Sequence, residues 1–300
     1  MAEVQITSNE NSESATHSGE SRWRKFVRRF KSQRPAMAAL FLLVAVISVA
    51  IAAPLIAPYA PEATNTAARL EGPSRAHWLG TDDLGRDLLS RNIYAARVSL
   101  WAATIASGIA LTLGLPIGMI SGFIGGRVDN TIQRINDGFL SFPGLILAIG
   151  VIGILGPNLT NAMIAIGISY TPSFVRIVRS ATLAVRQETF VEAAYQIGSK
   201  TRRTVLRHVV PNILSPVIVQ FTLALGLAII SESGLSFLGL GAQPPTASWG
   251  GMLRRGFGFM HEAPVNVLVP GFAIMVVVLS FNLLGDGIRD AVGREVRRDG

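Results

Sequence analysis

The sequence predicts an all-α polytopic membrane protein with six transmembrane helices, and three observations carry that prediction. Its 300 residues are 49% hydrophobic and only 15% charged, with a mean hydropathy of +0.42, which is far from the composition of a soluble domain. The apolar residues collect into six runs, each near the ~20 residues that a helix needs to cross a bilayer. The basic residues are divided unevenly among the loops joining those runs, as happens when cytoplasmic positive charge orients a chain.

The six runs are residues 36–57, 98–122, 135–155, 162–178, 213–230 and 265–284. Pro143 and Pro172 interrupt the third and fourth. Proline is tolerated in membrane helices where neighbours re-satisfy the freed carbonyl, so it blurs the boundaries and leaves the spans in place. With the N-terminus cytoplasmic, seven Lys and Arg precede the first span, two follow the second (Arg127 and Arg134), seven lie between Arg176 and Arg207, and four follow the last. The opposite side holds seven: Arg69, Arg75, Arg86, Arg91, Arg97, Arg254 and Arg255. This 20 to 7 division places both termini inside. It also assigns the pI of 10.7 to membrane-flanking loops, with no nucleic acid required. The chain has no cysteine, which excludes disulfides, thiolate metal sites and a cysteine nucleophile together.

Along the chain, residues 1–21 are rich in Ser, Thr, Asn and Glu and read as a disordered tail. Next comes SRWRKFVRRFKSQR, in which Trp23, Phe26, Val27 and Phe30 recur at helical spacing among Arg and Lys. That is the pattern of a basic amphipathic helix on an anionic lipid surface. The apolar run after it spans fully and its leading arm is long, so it reads as a retained helix and not a cleaved signal. The divisions are then 1–35 for the cytoplasmic tail with its amphipathic helix, 36–96 for the first span and outer loop, 97–287 for the main membrane domain, and 288–300 for a second cytoplasmic tail.

In the second span GLPIGMISGFIGG sets Gly114, Gly118, Gly122 and Gly126 four residues apart. A stripe of this kind lets membrane helices approach closely. It is not a phosphate loop: GxxxxGK[ST] occurs nowhere in the chain.

Between the fourth and fifth runs lies FVEAAYQIGSKTRRTVLRHVVPNILSPVIV, residues 190–219. Thr189 with Glu192 forms a capping box, so a helix is expected from about Phe190, its inward face made by Phe190, Ala193, Ala194 and Ile197. Gly198 supplies a left-handed stop, Ser199 caps a second helix, and Pro211 bounds it. On that second helix Val205, Leu206, Val209 and Val210 form one face, while Arg202, Arg203 and Arg207 point elsewhere. The product is a helix-turn-helix knob, too polar to cross lipid and suited to a partner.

Other residues invite weaker readings. Asp82, Asp83 and Asp87 resemble a metal cluster, but aspartates before a helix more often cap it. Glu232, beside Ser231, is an ionisable group at membrane depth and so either functional or a satisfied structural carboxylate. Asn136 and Asp137 start the third run, where they line a pore or face water. A proton- or sodium-coupled carrier needs paired midplane charges or inverted repeats, and neither is evident. An intramembrane hydrolase built on Ser236 needs a base in reach, whereas His17, His77, His208 and His261 all fall in tails or loops.

The EAA at Glu192, Ala193 and Ala194, followed by Gly198 and then HVVP ending at Pro211, resembles the EAA loop of bacterial ATP-binding-cassette importer permeases. GTDDLGRDLLSR (80–91), LGLGAQPPTASWGGML (238–253) and LSFNLLGDGIRDA (279–291) narrow the resemblance to the second permease subunit of dipeptide, oligopeptide, glutathione and nickel importers. His208 and Val210 depart from the usual Ile and Leu. The resemblance implies a type I importer permease fold over 97–287, with the EAA loop at 189–211. It implies ATPase coupling through Glu192, Ala193, Ala194, Gly198, Lys200, Arg202, Arg203 and Arg207, and an outer family motif at Asp82, Asp83, Gly85, Arg86 and Asp87. Pore-lining candidates are Asn136, Asp137, Ser231 and Glu232. The implied partners are a second permease, two ATPases that bind the ATP and Mg, a periplasmic or lipid-anchored binding protein, and membrane lipid. This chain itself would be no enzyme, would carry no cofactor or metal, and would sit in the bacterial cytoplasmic membrane.

Overall fold

The computed structural model describes residues 22–296; the tail read over 1–21 and the last residues, 297–300, lie outside the described residues. The elements are α1 Arg22–Lys31, α2 Arg34–Ile51, α3 Ala53–Ile56, α4 Leu88–Ile124, α5 Gly126–Leu140, α6 Gly144–Leu155, α7 Leu159–Arg186, α8 Thr189–Gln196, α9 Thr201–Thr204, α10 Val210–Phe237, α11 Trp249–Phe257 and α12 Val265–Val296. Among the described residues there is no strand, only one isolated bridge between Thr81 and Asp87.

Four helical stretches are long and apolar enough to cross a membrane: Arg34–Ile51, Leu88–Ile124, Thr201–Phe237 and Val265–Val292. The third run differs from its expectation. Pro143 does not merely kink a span; it separates α5 from α6, which meet at 87° and make a fifth candidate only as a broken pair. Its fixed φ and missing N–H end the incoming helix, and α6 restarts with Pro143 as its N-cap. Pro172, by contrast, sits inside the continuous α7. α7 is less apolar than the four, since it carries Asn161, Ser169, Thr171 and Ser173 besides Arg176, Arg179 and Arg186.

The most extensive helix pairing joins α4 to α7, and the glycine stripe explains it. A Cβ at Gly114 would strike Phe174, one at Gly118 would lie 2.7 Å from the Val175 carbonyl, and one at Gly122 would lie 2.7 Å from that of Arg179. The matched, rising numbers show that the two helices run parallel. Gly126 leaves the stripe: it opens α5 at φ +58°, with nothing near its missing side chain. Gly125, at φ +73°, has already broken the helix there.

Because α7 runs parallel to α4, the α5–α6 pair must carry the chain back between them. α10 packs antiparallel to both, its Glu232 bonded to Ser99 of α4 and its Ser231 to Tyr170 of α7. α12 returns against α10, with Gly226 beside Phe281 and Gly285 beside Leu223. α2 lies on α12, Ala36 meeting Gly287. The bundle thus has a hairpin end, carrying α1, α5, α8 and α9, and a loop end, carrying residues 58–87 and α11. Phe41, Leu42, Val44, Ile47 and Ile51 of α2 are exposed, as lipid-facing side chains should be. On α1 the rings of Trp23, Phe26 and Phe30 stack in sequence, at 5.6 and 6.1 Å.

Candidate functional site

The hairpin grows directly from the ends of two bundle helices. α8 begins one residue earlier than the capping box places it: the Glu188 carbonyl accepts from the Val191 and Glu192 amides, so Thr189 is already helical and Glu188 is the cap. Glu192 stays in the first turn, exposed, where the helix dipole favours a carboxylate.

Of the four residues assigned to the inward face of α8, only Ala194 is buried. Val191 and Ala194 are buried, while Phe190 is 41% and Ile197 86% exposed, and Ala193 is open as well. In an eight-residue helix two overlapping apolar stripes fit the same sequence, and packing against the end of α7 selects the one through Val191 and Ala194. On the following segment Thr204 and Val209 are buried and Leu206 is 56% exposed. The outward surface therefore mixes apolar Phe190, Ile197 and Leu206 with the exposed cations Lys200, Arg202, Arg203 and Arg207. Among the described residues no carboxylate pairs with those cations.

The turn is as expected at Gly198, which adopts φ +78°. The Ser199 amide donates to the Ala194 carbonyl at 3.0 Å, closing a Schellman turn. Ser199 does not cap the next helix, however. Lys200 takes that position, and the Ser199 hydroxyl accepts from the Thr204 hydroxyl. Nor does Pro211 end the second helix. Residues Val205–Val209 form a π turn, in which the Val210 amide donates to the Val205 carbonyl, and the helix continues to Phe237. Widening one turn accommodates a proline ring that would otherwise clash with the carbonyl four residues back. The Asn212 side-chain amide donates to the His208 carbonyl there. The second half of the knob is therefore one end of a membrane helix, joined to α10 through the π turn.

At the loop end the aspartates bind protein groups. Asp82 accepts from the Leu84 and Arg86 amides and from Arg86 Nε at 2.7 Å. Asp87 caps α4, accepting from the Ser90 amide and hydroxyl, and also meets His77 Nδ1 at 2.9 Å. Asp83 faces Arg255 at 3.4 Å. Gly85, at φ +68°, turns so tightly against Asn65 that no side chain fits. Among the described residues no group of His, Asp and Glu could hold a metal.

The pore candidates part company. Glu232 is fully buried, accepting from Ser99 and Ser236 at 3.0 and 2.7 Å, and Ser231 meets Tyr170 at 2.7 Å. Asn136 is buried and donates to the Pro172 carbonyl, at the edge of an apolar groove between α4, α5 and α7. Asp137 is exposed beside Arg176. Sequence reasoning missed a polar lock at the hairpin end: Arg179 holds Asp129 through two bonds of 2.6 Å, with Ser121 and Gln133 attached. A buried Asp held by an Arg 50 residues further on, on another helix, leaves no local signal.

Fold and hairpin together define a multi-pass, all-helical membrane protein with a polar knob protruding at one end. Residues 114–298 match the family model described as binding-protein-dependent transport system inner membrane component. Residues 21–73 match that for the N-terminal TM domain of oligopeptide transport permease C. The chain belongs to the first of these families, the membrane permeases of ABC importers. It is 44% identical over 275 residues to the dipeptide transport system permease protein DppC of Alkalihalophilus pseudofirmus, covering 92% of this chain and 90% of that one. It is 45% identical over 276 residues to the glutathione transport system permease protein GsiD of Escherichia coli, covering 92% and 91%. A likeness of fold links it to the MetNI methionine ABC transporter in an inward-facing conformation, at a TM-score of 0.57 and 17% identity over 67% of this chain and 96% of that one.

Proposed function

We propose that this chain forms half of the translocation pathway of an importer for peptides or a related small carboxylate-bearing solute, and that separate ATPase subunits drive it through the hairpin. The observation carrying the proposal is the outward face of α8 to α9. An exposed apolar patch rimmed by cations, at the end of a membrane helix, has the character of a docking surface. Glu192, Ala193 and Gly198 shape that surface, and Lys200, Arg202, Arg203 and Arg207 supply its charge. The relatives named for dipeptide and glutathione transport support the substrate class.

The topology proposed with it has six traversals: α2, α4, the broken pair α5–α6, α7, α9–α10 and α12. The parallel register of α4 and α7 supports this, because a chain that re-enters in the same direction has crossed back in between. Both termini and the hairpin then lie in the cytoplasm of a bacterial cell, and the Asp82 to Asp87 loop lies outside. ATP and Mg belong to the partner ATPases, and a second permease and a binding protein complete the assembly. Asn136, at the edge of the groove, and the exposed Asp137 next to it are the pore-facing candidates. The test is ATP-dependent uptake of a labelled dipeptide by liposomes carrying the full assembly. The chain alone should hydrolyse no ATP. Uptake that proceeds without the ATPases would overturn the reading.

A further inference from the structure

At the loop end a cavity of about 440 Å³ opens between the start of α4, the 238–248 loop and α11. That volume lies within the range of small-molecule sites, about 300–1,000 Å³. Four guanidinium groups line it: Arg86, Arg91, Arg254 and Arg255. Arg86 and Arg91 are 3% and 4% exposed, so they are built into the wall and are not surface decoration. Only two carboxylates answer them. Asp82 takes two contacts from Arg86 and stands 3.5 Å from Arg91; Asp83 stands 3.4 Å from Arg255 and 3.8 Å from Arg86. Arg91 spends its second contact on the neutral carbonyl of Pro61. Arg254 has no acidic partner among the described residues, and its guanidinium lies against Gly239, where any side chain would displace it. The cluster therefore carries two positive charges in excess, in a concavity with low-dielectric walls that focuses its field.

From this geometry we infer that the cavity is a binding site for the carboxylate of the transported solute, held by Arg254 with Arg255 and the buried Arg86 and Arg91 behind it. The inference rests on the permease reading above and adds a recognition element within this chain. Planar guanidinium groups match carboxylates in shape as well as charge, and an arginine that approaches a Gly instead of an acid is free to turn towards a ligand. A concavity of this volume fits a solute of a few residues better than a flat protein surface.

The absence of native cysteine makes the test direct. Thr246 lines the cavity and is exposed, so Thr246→Cys gives a reporter thiol in the full assembly without binding protein. An anionic thiol reagent should label it about tenfold faster than a cationic one of the same size, and Arg254→Gln should erase most of that preference. A dipeptide with a free C-terminus should slow labelling, its C-terminal amide should not, and Arg254→Gln should abolish the protection. Equal protection by acid and amide, or none by either, would overturn the inference. So would protection that requires only the binding protein, since the carboxylate would then come from a docked protein. Uptake in the complete assembly is measured alongside: normal uptake without protection sinks the cavity site alone, and absent uptake sinks the permease reading.

Discussion

At Gly198 the constraint is one of backbone alone. Its φ of +78° is a conformation that L side chains rarely adopt, yet nothing lies within 4 Å of where a Cβ would stand. Gly198→Val therefore meets no clash but must bear strain of about 1–2 kcal/mol or redirect the helix after it. Membrane levels of this variant should match the wild type while uptake falls severalfold or more; undiminished uptake would show that the turn geometry transmits nothing. Glu232 is the opposite case, constrained by neighbours. Its carboxylate joins α4 to α10 through Ser99 and Ser236, and Glu232→Ala leaves both hydroxyls without that acceptor in a dry interface, at a cost of about 1–3 kcal/mol. Thermal unfolding of the detergent-solubilised assembly should shift down for Ala and much less for Gln. An Ala variant as stable as the wild type would mean the group is dispensable to packing.

At the scale of an element, α8 shows what a short helix leaves open. Val191 and Ala194 hold it to the bundle, and Phe190 and Ile197 face out. Ile197→Asp should therefore insert normally but reduce ATPase co-purification by at least about tenfold, because an unpaired carboxylate at an apolar contact costs binding. Normal co-purification would place the docking surface elsewhere. The composition of the hairpin was legible in the sequence, as were its start to within a residue and its glycine turn. Its inward face was not, since Phe190 with Ala193 and Val191 with Ala194 are equally good stripes until α7 supplies a surface. The end at Pro211 also misled, because a proline that stops an isolated helix is absorbed by a π turn inside a longer one.

For the whole molecule, topology is the testable property. Thiols introduced by Gln243→Cys and Thr201→Cys both fall at exposed positions, on the loop end and the hairpin end. An impermeant reagent applied to intact cells should label the first and spare the second; labelling of the second would invert the arrangement. Ser248, also in the 238–253 segment, is unsuitable: it is 1% exposed and caps α11.

By itself the sequence determined the solvent, the helical class and the placement of charge. Those follow from sums over residues: enough apolar length in each run to replace water with lipid, and enough Arg and Lys at one end to hold it there. It also picked out Gly114, Gly118 and Gly122 as packing glycines, because a four-residue spacing is a property of one helix, but not that Gly126 lies beyond the helix end. Only the tertiary structure decided that α4 and α7 pack against one another and that the third run folds as a broken pair. It likewise decided which face of α8 points away from the bundle and that four arginines from distant segments line one cavity with a single aspartate, Asp83. Each of these is a relation between segments, governed by which surfaces exclude one another, and nothing local in the chain encodes the partner a side chain will meet.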